Sequence, residues 1–318
     1  MILNALKLVE GAVSTQDLIP ALTHICIYAG RLQGGNGRVA IDTACPQLDF
    51  DAVVPAEKFV KALSSCRGEP VLKLEGSRLT VRDRRFRATI SLLPNESYLR
   101  AEPPQGEPVT PQEMLPALRK LAPFISTDAS RPWSCSLLAY AGYLYATNNV
   151  VLARVPFAWS DEKLAIPEAA VQEMLRLDQE PQAIHITLNA AWVRYANCWM
   201  KVQLLQDPWP IEALSKLIER MQTIELDTLP EGLLDDVQTL KPFFPDEKLP
   251  VVLTGPEGVS TMDGAHSAAI ATTALPKNAF RIESLSLVLG TATHANLTTS
   301  PCPWRGDGIE GFLSAVHI

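Results

Sequence analysis

One pattern recurs three times along the 318 residues of this chain, and repetition on that scale constrains the architecture before any single motif does. Val54-Pro55 is followed by Phe59 and Leu63, Ile166-Pro167 by Val171 and Leu175, and Leu275-Pro276 by Phe280, with Leu285 one place off register. The copies are roughly 110 residues apart. Proline fits the first turn of a helix, where no N–H donor is needed, and apolar residues four apart give that helix one buried face. Strand-like runs follow each copy. After the first come Val71, Leu72 and Leu74, then Leu79 and Val81, then Phe86, Ala88 and Ile90. After the second come Ile184, Ile186 and Leu188, then Trp192, Val193 and Tyr195, then Trp199, Val202 and Leu204. After the third come Ala295 and Leu297, then Phe312, Leu313 and Val316. Glu75-Gly76-Ser77 is a hairpin signal.

A shorter helical segment precedes each copy. Asp17 to Leu22 and Glu113 to Leu118 are close variants, and Gly232 to Val237 is a weaker third. Pro20 and Pro116 predict short or kinked helices, and Thr110 with Glu113 three residues on fits a capping box. Proline-rich connectors at 101–108 and 207–210 separate the copies. The chain is therefore expected to be α+β, with three similar domains at 1–105, 106–208 and 209–318, each running helix, strands, helix, strands.

Composition narrows the function. Hydrophobic residues make up 47% and charged residues 20%, and no apolar run reaches the roughly 20 residues of a membrane helix. The segment starting at Met1 mixes Asn4, Lys7 and Glu10 into its apolar residues, unlike a signal peptide, so a cytoplasmic location and no membrane partner are expected. Six separated cysteines show no CxxC spacing, and five histidines no HExxH, so reduced thiols and neither metal nor cofactor are expected. No GxSxG or GxxxxGK[ST] motif is present. Gly34 to Gly37 lies between strand-like stretches and reads as a hairpin turn, and Asp235-Asp236 as a solvated helix face. An enzyme is not expected. A net charge of −7 argues against gripping nucleic acid over the whole surface, but not against enclosing it with a few bases on one face.

Val53 to Phe59, Phe86 to Pro94, Ser130-Arg131-Pro132 followed by Tyr145 to Asn149 and Leu152-Ala153, Ala165 to Arg176, and Leu204 to Pro210 follow one another along the full chain. In this order they resemble the bacterial β sliding clamp. The third domain matches least. The resemblance implies the DNA-clamp fold, with two helices per domain packed on antiparallel sheets. It also implies a ring of six domains from a homodimer that encircles double-stranded DNA without sequence preference and serves as a DNA polymerase processivity factor.

Candidate bases on inner helices are Lys58, Lys61, Arg67, Arg119, Lys120, Arg176, Lys241 and Arg281. Arg131 and Trp133 look like a DNA-contacting loop, where Trp133 could stack on a base or equally serve as a packed domain anchor. A pocket for short peptide motifs of the polymerase and the clamp loader would use Ser134, Thr147, Asn149, Val150, Val151, Leu152, Pro210, Leu214, Phe312, Ser314 and Val316. The family usually carries glycine, histidine and arginine where Asn149, Val150 and Val151 stand, so a more apolar pocket is expected. The subunit interface would use Arg85, Phe86 and Ala88 against Phe243 and Phe244, although two adjacent phenylalanines also suit a core. A clamp-fold decoy or regulator that binds clamp partners without encircling DNA is the alternative.

Overall fold

The computed structural model describes residues 2–16, 18–159, 163–206, 209–221, 223–244, 250–262 and 267–317. Its helices are α1 (Ile2–Glu10), α2 (Ala56–Ser64), α3 (Met114–Leu121), α4 (Glu168–Leu177), α5 (Ile211–Met221), α6 (Leu233–Thr239) and α7 (Ile282–Leu289). The strands fall into groups of three after every helix except α5. These groups are β1 (His24–Tyr28), β2 (Arg31–Gly35) and β3 (Val39–Ala44); β5 (Val71–Glu75), β6 (Arg78–Asp83) and β7 (Phe86–Ser91); β8 (Ser136–Tyr140), β9 (Tyr143–Thr147) and β10 (Val151–Pro156). They continue with β12 (Ala183–Ile186), β13 (Ala190–Arg194) and β14 (Cys198–Gln203); β16 (Val251–Gly255), β17 (Gly258–Thr261) and β18 (Ala269–Ile270); β20 (Ala292–Ala295), β21 (Cys302–Gly306) and β22 (Ile309–Leu313). Four further strands each lead toward a helix: β4 (Ala52–Pro55), β11 (Leu164–Pro167), β15 (Asp227–Thr228) and β19 (Asn278–Arg281).

The chain divides into two compact units, Met1–Leu115 with Ala169–Leu205, and Pro116–Glu168 with Gln206–Ile318. The first unit holds a seven-stranded sheet, β12-β13-β14-β3-β2-β1-β4, and a three-stranded sheet, β5-β6-β7. The second holds an eight-stranded sheet, β11-β8-β9-β10-β22-β21-β20-β15, and a four-stranded sheet, β18-β17-β16-β19. Two third strands meet at the middle of each large sheet. β3 pairs with β14, and β10 pairs with β22. A charged cluster marks both seams. At the first, Asp42 accepts from Tyr28, Arg31 and Gln33. At the second, Arg154 is held by Glu310, directly opposite in the ladder.

The repeated Pro-helix motif is a strand running into a helix at β4–α2 and β11–α4. Phe59, Leu63, Val171 and Met174 are buried on those helices. The third copy differs. The segment from Leu275 to Phe280 does not start a helix at Pro276: residues 278–281 form β19, and α7 starts only at Ile282. Pairing with β16 holds this stretch extended.

The helix predicted over Asp17 to Leu22 is also corrected. Asp17 lies outside the described residues, and Pro20–Thr23 form a single 3-10 turn. The first helix is α1, whose Ala5, Leu6 and Val9 are buried. Pro20 removes the donor that a longer helix would need. Sequence reading missed α5 as well. The capping box at Thr110 and Glu113 is replaced by a distant group: the Glu180 carboxylate accepts from the N–H groups of Met114 at 2.5 Å and Leu115 at 3.0 Å. An anion there neutralises the free donors of the first turn of α3. Of the 207–210 connector, 207 and 208 lie outside the described residues.

All six cysteines are free. Burial pushes the thiols of Cys26 and Cys198 up to about 11 and that of Cys302 to about 12, so they stay protonated and inert at neutral pH.

Arg176 ties α4 to α1. Its Nη1 donates to Lys7 O at 3.0 Å, its Nη2 to Leu8 O at 2.7 Å, and its Nε to Glu173 at 2.7 Å. It thereby caps carbonyls near the C-terminal end of α1, where a cation is favoured. A Cβ on Gly11 would lie 2.3 Å from Arg176 Nε, so glycine leaves room for the guanidinium. Arg176→Ala and Gly11→Ala are each expected to lower stability by about 1–2 kcal/mol, read as a fall in the urea midpoint. An unchanged midpoint in both would remove this role.

Candidate functional site: an apolar cavity beside α5

α5 presents Ala213, Leu214 and Leu217 on one face. That face packs toward the turn between β9 and β10 and the end of β22, leaving a cavity of about 250 Å³. Its walls are Arg131, Trp133, Thr147, Asn149, Val150, Val151, Leu152, Trp209, Pro210, Pro301, Phe312 and Ser314, with the α5 residues. That volume is below the roughly 300–1,000 Å³ of pockets that enclose a small molecule, and suits one or two side chains of a larger partner.

Local chemistry fixes the turn. Asn149 has φ +69°, a left-handed conformation that asparagine tolerates better than most residues. This is how the chain manages without glycine there. Asn148 Oδ1 accepts from Val150 N at 3.1 Å and Val151 N at 2.8 Å, and Thr147 Oγ1 donates to Val151 O at 2.8 Å. Asn149 Nδ2 donates to Ser134 Oγ at 3.0 Å, and Ser134 Oγ donates to Arg131 O at 2.8 Å. Ser134 is fully buried, so it braces the wall from behind instead of lining it.

Two tryptophans, Trp133 and Trp209, also line the cavity. Trp133 and Trp209 meet edge to face, with centroids 5.2 Å apart. Trp209 Nε1 donates to Ser136 Oγ at 3.0 Å, and that hydroxyl donates to Trp133 O at 2.7 Å. Trp209 and Leu214 join Leu138 and Tyr145 in one buried cluster.

Of the eleven residues suggested for a peptide pocket, nine line this cavity. Ser134 stands behind it. Val316 is not among its walls; its N–H donates to Ala279 O at 2.8 Å. Arg131 and Trp133, read as a DNA loop, line the same cavity. Sequence reading missed Trp209, Ala213, Leu217 and Pro301; Leu217 lying three residues after Leu214 and four after Ala213 was the available signal.

The candidate bases are dispersed. Lys58 and Lys61 are exposed on α2, with Lys61 paired to Glu57. Arg119 and Lys120 are exposed on α3, and Lys120 Nζ donates to Asp307 O at 2.7 Å. Three of those placed on helices are not there. Arg67 lies in the loop after α2, where its backbone N–H and that of Gly68 are held by Asp83; these bonds hold the Asp83 carboxyl below its usual range. Lys241 is in a 3-10 turn, and Arg281 ends β19. Helix termination after α6 and strand pairing in β19 override the spacing on which they were placed. Outside α5, the helices carry six basic and seven acidic side chains. Among the suggested interface residues, Arg85 is exposed, Phe86 and Ala88 are half-buried on β7, Phe243 is exposed and Phe244 half-buried.

No family model matches the chain, and no curated protein sequence matches it. Solved structures do. The DNA polymerase sliding clamp of Bacillus subtilis superposes with a TM-score of 0.83 at 14% identity, covering 100% of this chain and 97% of that one. The DNA polymerase III subunit beta sliding clamp of Pseudomonas aeruginosa bound to griselimycin gives 0.81 at 16% identity, with coverage of 100% and 97%. The Helicobacter pylori beta clamp bound to a DNA ligase peptide gives 0.80 at 13%, with coverage of 100% and 98%. With the whole of this chain covered in each of these superpositions, it has the fold of the bacterial DNA polymerase sliding clamp.

Proposed function

We propose that this protein is a DNA sliding clamp, a ring closed by two copies of the chain that encloses duplex DNA and tethers a DNA polymerase through the cavity beside α5. The observation that carries this reading is the pairing of the third strands. Four of the six pair within the chain, β3 with β14 and β10 with β22. The other two, β7 and β18, are sheet edges. If β7 of one copy continues into β18 of another, the same junction forms twice and both edges are covered in both copies. The three-domain division at 1–105, 106–208 and 209–318 suits this pattern, with the middle domain supplying β10 to one seam and β14 to the other. Arg85, Phe86 and Ala88 lie on or beside β7.

The helix charges decide how such a ring would hold DNA. Six bases against seven acids give few net phosphate contacts, so retention would be topological, with a shallow dependence on salt. Lys58, Lys61, Arg119 and Lys120 are among the exposed helix bases available for those contacts. Arg131 and Trp133 belong with peptide capture instead. A clamp of this fold holds a DNA ligase peptide, and a short apolar motif from a polymerase or a ring-opening clamp loader suits the cavity described above. No catalytic step is assigned. Among the described residues no helix is long and apolar enough to cross a membrane, and a cytoplasmic place follows from the replication role.

The near-neutral helix set also favours a second reading, a clamp-fold protein that binds replication partners without encircling DNA. Light scattering over a dilution series separates the two. A stable dimer of about twice 34.8 kDa is expected for the ring. A monomer at every concentration would overturn ring closure and favour the second reading.

A further inference from the structure

We propose that a hollow over Gly35 and Ala40, in the first unit, is a docking site for a partner-protein segment that carries bulky apolar side chains next to carboxylates. The argument starts from the glycine pair in β2. Successive residues of a strand point to opposite faces of its sheet. A Cβ on Gly34 would lie 2.6 Å from Val9 O, so Gly34 faces α1 and lets that helix approach. Gly35 faces the other way, where a Cβ would meet Ala40 Cβ at 3.3 Å and Tyr98 Oη at 3.5 Å. In the ladder Gly35 is level with Ala40 of β3, and Ala40 with Lys201 of β14. Two small residues in one cross-strand row leave a depression in this face, with a lysine beside it.

The segment at 97–101 turns the depression into a cavity. Gln33 grips its backbone twice: Nε2 donates to Ala101 O at 2.8 Å, and Oε1 accepts from Ala101 N at 2.7 Å. Tyr98 Oη donates to Gln33 O at 3.2 Å, and its ring is buried with Cys26 and Val53. Held at both points, the segment stands as one wall. Ile19, Leu22, Arg38 and Lys201 are among the others. The volume is about 350 Å³, within the roughly 300–1,000 Å³ of pockets that enclose a ligand.

The apolar surface runs on past the cavity. Leu99, between the two anchored residues, is 96% exposed, and Ile19 is 57% exposed. Both line the cavity, and Leu18, next to Ile19, is 86% exposed. Large apolar side chains grouped in this way mark an interaction surface. A small ligand filling the hollow would leave Leu18 in water, whereas a polypeptide segment covers the hollow and its rim together.

Charge selects the kind of segment. Arg38 and Lys201 are the charged residues among the walls; Glu96 and Glu102, on either side of the 97–101 segment, are not among them. No carboxylate is within ion-pair distance of Arg38 or Lys201 among the described residues. The backbone that carries Arg38 is fixed: its N–H donates to Asn36 Oδ1 at 3.0 Å, and its C=O accepts from Gln203 N at 2.8 Å. Two cations beside an apolar hollow complement an apolar segment with adjoining acids. All these residues belong to one unit of a single copy, so the inference does not rest on ring closure.

The test uses the full chain and three fluorescein-labelled peptides. The first is Gly-Ser-Leu-Leu-Asp-Glu-Ser-Gly; the second has Lys-Lys in place of Asp-Glu, and the third Ser-Ser in place of Leu-Leu. Fluorescence anisotropy should show the first binding about tenfold tighter than either of the others. Hydrogen exchange of the backbone amides at 97–101 should slow in its presence. Arg38→Glu and Lys201→Glu should each weaken its binding about fivefold or more, with unchanged circular dichroism spectra. Both should remove the protection at 97–101 while leaving exchange at 147–152, beside α5, as in the native chain. No preference over the lysine peptide, no protection at 97–101, or unchanged binding in both variants would overturn the proposal. Equal binding of the serine peptide would also overturn it, by marking a general anion site. So would protection of 97–101 that grows with protein concentration in the absence of peptide, which would identify a second copy as the occupant.

Discussion

Replacing Glu310 by alanine is expected to cost about 3–5 kcal/mol of folding stability. Glu310 is opposite Arg154 across β10 and β22, and opposite Arg305 across β22 and β21. Arg154 Nε and Nη2 donate to its Oε1 at 2.9 and 2.6 Å, and Arg305 Nε donates to Oε2 at 3.3 Å. Arg154 is only 6% exposed, with its guanidinium 4.1 Å from the Tyr143 ring centroid. Without the carboxylate a buried guanidinium is left facing an aromatic ring and its own like-charged neighbour. The destabilisation comes from that uncompensated charge more than from the pair's own net stabilisation. Calorimetry should show a fall in Tm on the order of 10 °C. Replacing Arg154 and Glu310 together by leucine should restore most of it, since a dry apolar pair carries no charge to desolvate. If Glu310→Ala melts within a degree or two of the native chain, the ion pair does not hold this seam.

A lysine at position 270 is expected to weaken self-association by at least about a hundredfold, because like charges placed across an interface cost several kcal/mol. Ile270 lies on β18, the proposed partner of the β7 edge. That edge carries Arg87, with Arg85 beside it, and β18 itself carries no charge. Ile270→Lys therefore sets cation against cation, and the two-fold arrangement does so at both junctions. Sedimentation velocity should show dimer giving way to monomer at micromolar concentration, whereas Ile270→Glu should leave the dimer intact or tighten it. A dimer indifferent to either charge would place the interface elsewhere.

The two seams show how far the sequence could be read. The strand groups after α2 and α4 are legible because each alternates over a few residues between turn signals, as in Val71 to Ile90. The rows that join at the seams, Trp199 with Asp42 and Glu310 with Arg154, unite residues more than 150 positions apart, and no periodicity carries that information. The cavity was partly legible. Thr147 to Leu152 came from local resemblance, whereas Trp209 and Leu217 became visible only once α5 was recognised as a helix. The Arg176 cap on α1 and the Glu180 cap on α3 were not legible, because each satisfies backbone groups far away in sequence.

The sequence by itself determined the kind of element at most places: the Pro-helix units at Pro55 and Pro167, the hairpin at Gly76 and the strand groups; the clamp fold came from the resemblance of segments such as Val53 to Phe59 to a known family. The elements depend on local spacing and backbone preference, which a linear text records. Only the tertiary structure decided that Pro276 precedes a strand and not a helix, that Arg176 donates to carbonyls at the end of α1, and which strand edges remain open. Pairing and burial set those outcomes, and both are sums over neighbours that the chain brings together only when folded.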